Sequence, residues 1–159
     1  MLEKGIHLLA VMTAFTVAIL VVLVVYDATV RYVFSGGSIA LQELEWHLFD
    51  IIILFAISYT LQKDAHVRVD IFYSSFSEKS KALINMISSV VFIFPFSLLM
   101  IYLGLDFVAL SFSQNECSSN PGGLEYRFLV KALLPLSFFF VVLQTFSSVK
   151  KDLKRWRYL

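Results

Sequence analysis

Glu43, His47 and Asp50 stand four and then three residues apart. On a helix this spacing puts a carboxylate, an imidazole and a second carboxylate on one face. Such a stripe can hold a proton or a cation, or bind a neighbouring helix. Asp27 and Arg31 are also four apart, acid before base, the order that pairs well on a helical face. In the stretch QKDAHVRVDIF, the polar residues His66, Arg68 and Asp70 alternate with Val67, Val69 and Ile71. That pattern suits a short extended segment or a loop lying along a membrane with its valines inward. The stretch SSNPGG, with Pro121, Gly122 and Gly123, signals a turn, because Pro and Gly supply the backbone angles a turn needs. Several kinds of chemistry lack their motifs: there is no HExxH, no paired-cysteine motif, no phosphate-cradling glycine loop and no GxSxG. The single Cys117 rules out an internal disulfide. An enzyme is therefore not expected, nor a bound cofactor.

The elements that position these residues follow from composition. The chain has 159 residues, 58% hydrophobic and 16% charged, with a net charge of +1. A soluble domain of this size carries about 25% charged residues, so an all-α integral membrane protein is expected, as a single domain. The small net charge gives no reason to expect nucleic acid as a partner. A helix needs about 20 mostly apolar residues to cross the hydrocarbon, and four segments qualify, at roughly 8–30, 46–62, 82–110 and 127–149. The second is the most polar, because Asp50 lies inside it about one turn below the interface. A charge there is costly and is expected to face protein or water rather than lipid. The third contains Pro95 and the fourth Pro135, which spanning helices tolerate when neighbours satisfy the freed carbonyls. Ser77 is placed to cap a short amphipathic helix leading into the third span.

Orientation is read from Lys and Arg. With four spans, both termini and the middle loop share one side, and ten of the thirteen basic residues fall there. Both termini are therefore expected in the cytoplasm. The other side holds Arg31, Arg127 and Lys131, and Lys131 can snorkel to the outer interface. The basic tail KKDLKRWRYL suits an anionic headgroup layer, so phospholipids are expected partners.

Two rival functions can be weighed on the residues. A haem-bearing respiratory subunit needs two paired His, but His7 and His47 begin successive spans on opposite sides of a core about 30 Å thick. His66 is on the side of His7 but in a polar loop. A self-contained carrier needs a polar path, and the Glu43–His47–Asp50 stripe has only Asp106 as a companion acid. A helix–helix contact is the better use of the stripe.

Four sequence marks, in order, carry a resemblance: DATVRYVF from Asp27, SIALQELEWHLF from Ser38, HVRVDIF from His66, and NPGGLEYRFLVKALLPL from Asn120. Together they make the chain similar, over nearly its whole length, to the small membrane subunit (the DctQ-type or Q subunit) of tripartite ATP-independent periplasmic (TRAP) transporters. It departs from the family at Leu41, where members often carry Trp. The resemblance implies a bacterial inner-membrane protein with four transmembrane helices, both termini cytoplasmic and short interfacial segments between spans. It implies a sodium-driven system in which a periplasmic binding protein captures an organic acid and a large DctM-type subunit moves it by an elevator-like motion. The small subunit is non-catalytic, braces the large one and helps present a docking surface. Carried onto this chain, Arg31, Glu43, Glu45, Trp46 and the SSNPGG turn would lie on the periplasmic side as docking or bracing candidates. His66, Arg68 and Asp70 would tie the middle loop to helix ends or to the large subunit.

Overall fold

The computed structural model describes residues 2–63 and 75–158, so the stretch holding His66, Arg68 and Asp70 lies outside the described residues. Their regular elements are all helical, with no strand among the described residues: α1 (Leu2–Val33), α2 (Ile39–Gln62), α3 (Glu78–Ser88), a π-helical turn (Ser89–Ile93), α4 (Phe94–Ser113), α5 (Phe128–Lys131) and α6 (Leu133–Tyr158). They make four segments long and apolar enough to cross a membrane: Gly5–Val33, Ile39–Gln62, Glu78–Ser113 and Phe128–Tyr158. The helices overrun the hydropathic spans. α2 starts at Ile39 because Ser38 caps it, accepting a hydrogen bond from the Leu41 N–H. Glu43 and Glu45 therefore sit on helix rather than in a connector.

Ser77 caps α3, its hydroxyl accepting from the Ser80 N–H at 3.2 Å. Pro95 explains the turn that follows. A proline inside a regular helix has no N–H to give and clashes with the carbonyl four residues back. Here the ladder widens just before it, and the Phe94 N–H reaches the Ser89 carbonyl. The fourth span is also broken once, at Ala132, between α5 and α6.

The four spans run up and down. His7 of α1 stacks on Tyr59 near the end of α2, with ring centroids 6.3 Å apart. Glu78 at the start of α3 pairs with Arg155 near the end of α6. One end of the bundle thus holds the start of α1, the end of α2, the start of α3 and the end of α6. The other holds the connections 34–38 and 114–127. α6 is the central helix, touching α1, α2, α3, the π turn and α4, whereas α1 leans chiefly on α2. The core is small, with Leu61, Phe138 and Val141 at its centre and Ile57, Ile93, Met100, Ile101 and Leu134 around them.

Much of the remaining inner surface is small and polar: Ser58, Ser97, Ser111, Ser137, Gln144 and Thr145 are buried. Small residues let membrane helices approach closely, since lipid removes the hydrophobic drive between them. Most of the hydroxyls satisfy themselves on their own helix, as Ser97 does on the Ile93 carbonyl at 2.7 Å and Thr145 on the Val141 carbonyl at 2.8 Å. The tightest approach is Gly104 of α4 against Pro135 of α6. A Cβ at Gly104 would lie 3.0 Å from the proline Cδ and 3.3 Å from its Cβ.

Candidate functional site

The polar residues singled out in the sequence gather at the end of the bundle that holds the 34–38 and 114–127 connections. The second connection is a folded loop. α4 closes on Asn115 in the left-handed region, φ +45°. The Asn115 N–H bonds the Phe112 carbonyl and the Glu116 N–H bonds the Ser111 carbonyl, which is a Schellman stop with Asn at its turning position. Glu116 is thereby aimed back at the bundle, where it pairs with Lys131. Ser118 N–H then donates to the Leu124 carbonyl, and Gly123 N–H to the Asn120 carbonyl, both at 3.0 Å. Between them, Asn120–Gly123 form a type II turn with Pro121 second and Gly122 third, at φ +80°.

Glu43 of α2 holds this loop. Its Oε1 accepts from the Ser118 hydroxyl and, at 3.3 Å, from the Asn120 Nδ2. Its Oε2 accepts from the Leu124 N–H at 2.7 Å. Three donors spread over seven residues of loop thus meet one carboxylate. Gly123 sits against the clasp: a Cβ there would overlap Ser118 and lie 2.7 Å from Glu43 Oε2. Its φ is not positive, so the glycine is needed for space and not for backbone conformation.

Glu45, two residues on, points elsewhere, as helix geometry requires. It lies within electrostatic reach of Asp27 and Arg31 on α1. Asp27 and Arg31 form the expected ion pair through Asp27 Oδ2. The Asp27 side chain is only 1% exposed, and among the described residues its Oδ1 has no hydrogen-bond partner; nor has Glu45 Oε1. The α1–α2 seam therefore sets one buried acid and one half-buried acid beside one cation.

His47 and Asp50 line a cleft of about 320 Å³ between α2 and the start of the fourth span, together with Trp46, Arg127 and Lys131. The stripe thus faces protein. Its companions are Arg127 and Lys131, not Asp106, which is not among the residues lining the cleft. Lys131 does more than snorkel, since its ammonium pairs with Glu116 and lies 3.9 Å from the centre of the Phe107 ring. The Lys131 ammonium holds the Glu116 carboxyl below the usual carboxylate range. His47 and His7 are at opposite ends of the bundle, because Tyr59, which His7 stacks on, is twelve residues further along α2, about 18 Å of helix.

Sequence reasoning placed Asp27, Arg31, Glu43, His47, Asp50, Arg127 and Lys131 at one end of the bundle, and the structure brings them there in three groups. It marked Ser118 and Asn120 only as part of the SSNPGG turn and not as partners of Glu43, and it missed Glu116, because these partners lie far away in the chain; the only local signal was the hydrogen-bonding character of Ser and Asn beside a turn. It also missed the opposite end, where Glu78 bridges Lys81 and Arg155, and Lys79 lies over the Trp156 ring at 5.4 Å.

Two comparisons bear on identity. A protein of Haemophilus influenzae carrying the name of a TRAP transporter small permease protein is 22% identical over 149 residues, covering 94% of this chain and 86% of that protein. The sequence model of a family described as tripartite ATP-independent periplasmic transporters, DctQ component, matches residues 20–155. That match runs from the middle of the first span to near the end of the fourth and takes in the polar residues from Asp27 to Lys131 described above, and the chain belongs to the DctQ family of transporter components.

Proposed function

We propose that the chain is the non-catalytic small membrane subunit of a sodium-driven, binding-protein-dependent secondary transporter for organic acids. It braces a large elevator-type subunit and helps dock a periplasmic binding protein. The observation that supports bracing is α1. This helix leans chiefly on α2, and its apolar side chains face outward over the length of the span, with Phe15 68% and Val22 70% exposed. Such a surface fits lipid or a second membrane subunit. The Glu43 clasp supports the docking role, since it gives the 114–127 loop a fixed shape at one bundle end.

The test is co-purification and reconstitution. The chain is expressed with and without the large membrane subunit, and each preparation is placed in liposomes with the binding protein and a sodium gradient. One-to-one recovery, with uptake that needs both membrane subunits, is the expected result. Uptake by this chain alone would make it a self-contained carrier and overturn the proposal. The same preparation carrying Arg68→Ala should yield less complex, because the middle loop is proposed to tie to neighbouring helix ends or to the large subunit.

With ten of thirteen basic residues on the side of the termini, the bundle is proposed to sit in the bacterial inner membrane with that end in the cytoplasm. Cys117, the only cysteine and exposed in the 114–127 loop, reports this directly. A membrane-impermeant maleimide should label it in intact spheroplasts. Labelling only after lysis would invert the topology.

A further inference from the structure

The cleft between α2 and the start of the fourth span holds more charged groups than its own contacts use. Glu43 is occupied by the loop, and Lys131 by Glu116. The side chains of His47, Asp50 and Arg127 line the same cleft, and among the described residues none makes a side-chain hydrogen bond or close ion pair, though Arg127 lies within electrostatic reach of Glu43 and Glu116. All three are partly buried, so bulk water reaches them from one side only. Their side-chain hydrogen-bonding capacity is open to water or to a ligand in the cleft.

The chemistry of the partner can be read from the set. Glu43 and Asp50 are acidic and Arg127 and Lys131 are basic, so with His47 neutral the formal charges in the lining cancel. A simple anion would meet Asp50, and a simple cation would meet Arg127. A ligand carrying both charges, a phosphate and an amine a few atoms apart, satisfies both at once. Arg127 offers a planar fork suited to phosphate oxygens. His47 can add a ring N–H to the phosphate, and Asp50 can accept from the ammonium. The volume, about 320 Å³, is at the lower end of small-ligand pockets, which span about 300–1,000 Å³. Trp46, 67% exposed, stands at the rim, as aromatic side chains do at the boundary between hydrocarbon and headgroups. The cleft is at the loop end of the bundle, the level at which headgroups lie against a spanning helix.

We propose that this cleft binds the headgroup of a zwitterionic, amine-bearing phospholipid, with its phosphate on Arg127 and His47 and its ammonium on Asp50. The proposal does not rest on the bracing function and concerns this chain by itself. It makes the α2–fourth-span seam a lipid site, distinct from the exposed apolar faces that any acyl chain can wet.

The test is native mass spectrometry of the full chain in mild detergent, titrated separately with phosphatidylethanolamine, phosphatidylglycerol and soluble phosphoethanolamine. The wild-type chain is expected to retain one phosphatidylethanolamine, with affinity on the order of tenfold or more above phosphatidylglycerol, as the loss of one charge-assisted contact implies. Asp50→Asn should bring the two lipids to parity by removing the ammonium partner. Arg127→Gln should weaken both. Equal binding of the two lipids by the wild type would overturn the proposal, as would a preference that survives Asp50→Asn. Binding of soluble phosphoethanolamine as tight as that of the lipid would also overturn it, in favour of a free phosphoamine ligand. The wild-type preference needs no variant, so the proposal can fail even if a substitution prevents folding.

Discussion

Replacing Arg31 by Met would strand a carboxylate. The Met keeps most of the apolar stem of Arg31 and removes only the charged fork. Asp27 is 1% exposed, its Oδ1 already has no donor among the described residues, and Glu45 is close enough to repel it. Removing one partner of a buried ion pair costs about 3–5 kcal/mol, chiefly because the remaining charge is left without compensation. The Arg31 side chain is 45% exposed, so water already screens part of the attraction, and the cost should fall to about 2–3 kcal/mol. For a chain of this size that corresponds to a drop in melting midpoint of about 5–10 °C. The assay is thermal unfolding of the purified chain in mild detergent, followed by intrinsic fluorescence. The double variant Asp27→Leu, Arg31→Met should recover most of the loss, because exchanging a buried pair for apolar groups is often neutral. Two results would refute the reasoning. One is an Arg31→Met midpoint within about 2 °C of wild type, less than 1 kcal/mol. The other is a double variant no more stable than Arg31→Met.

Other expectations follow from the same contacts. Gly123→Ala should push Ser118 and Glu43 apart and speed hydrogen exchange at the Leu124 amide on the order of tenfold or more; Gly122→Ala, with open space around it, should spare the clasp and cost only the left-handed backbone, about 1–2 kcal/mol. Gly104→Leu should overpack the α4–α6 seam against Pro135 and destabilise by about 1–3 kcal/mol in a denaturant titration, whereas Gly104→Ala should come nearer to neutral because its better helix propensity offsets the squeeze. The Glu116–Lys131 pair sets a pH dependence. Its carboxyl is lowered in the folded protein, so the stabilisation is fully present above the ordinary Glu value of about 4.3 and is lost as pH falls through the lowered value. Melting midpoints of wild type and Lys131→Met should differ at pH 7 and converge in strong acid; a difference that grows on acidification would contradict the pairing.

What could be read from the sequence depended on how far apart the partners lie. The Asp27–Arg31 pair, the Ser77 cap and the Asn120–Gly123 turn each join residues within four positions, and local geometry was enough to expect them. The spans were legible because a bilayer needs long apolar runs. The true start of α2 was not, since a helix that begins in a polar turn outruns its hydropathic part, and only Ser38 hinted at it. The Glu43 clasp and the Glu116–Lys131 pair were illegible because they depend on how the loop after α4 folds back, which the Schellman stop at Asn115 decides. The stripe at Glu43, His47 and Asp50 was recognised as one unit by its spacing, yet tertiary packing divides its work between a loop clasp and a cleft.

The widened turn at Ser89–Ile93 has a consequence for how the third span counts its residues. Its hydrogen bond spans five residues where a regular helix spans four, so the segment carries one residue more than an unbroken helix of the same reach. The surplus is absorbed on the spot, so Ala82 before it and Ser97 and Gly104 beyond it are all buried within one packed bundle. The span thus has a single place where its length can change by one without turning one half against the other. A one-residue deletion inside 89–93, made with Pro95→Ala so that a regular ladder can close, should leave both inner faces directed at α6. The same deletion in the middle of α4 would rotate everything beyond it by about 100°.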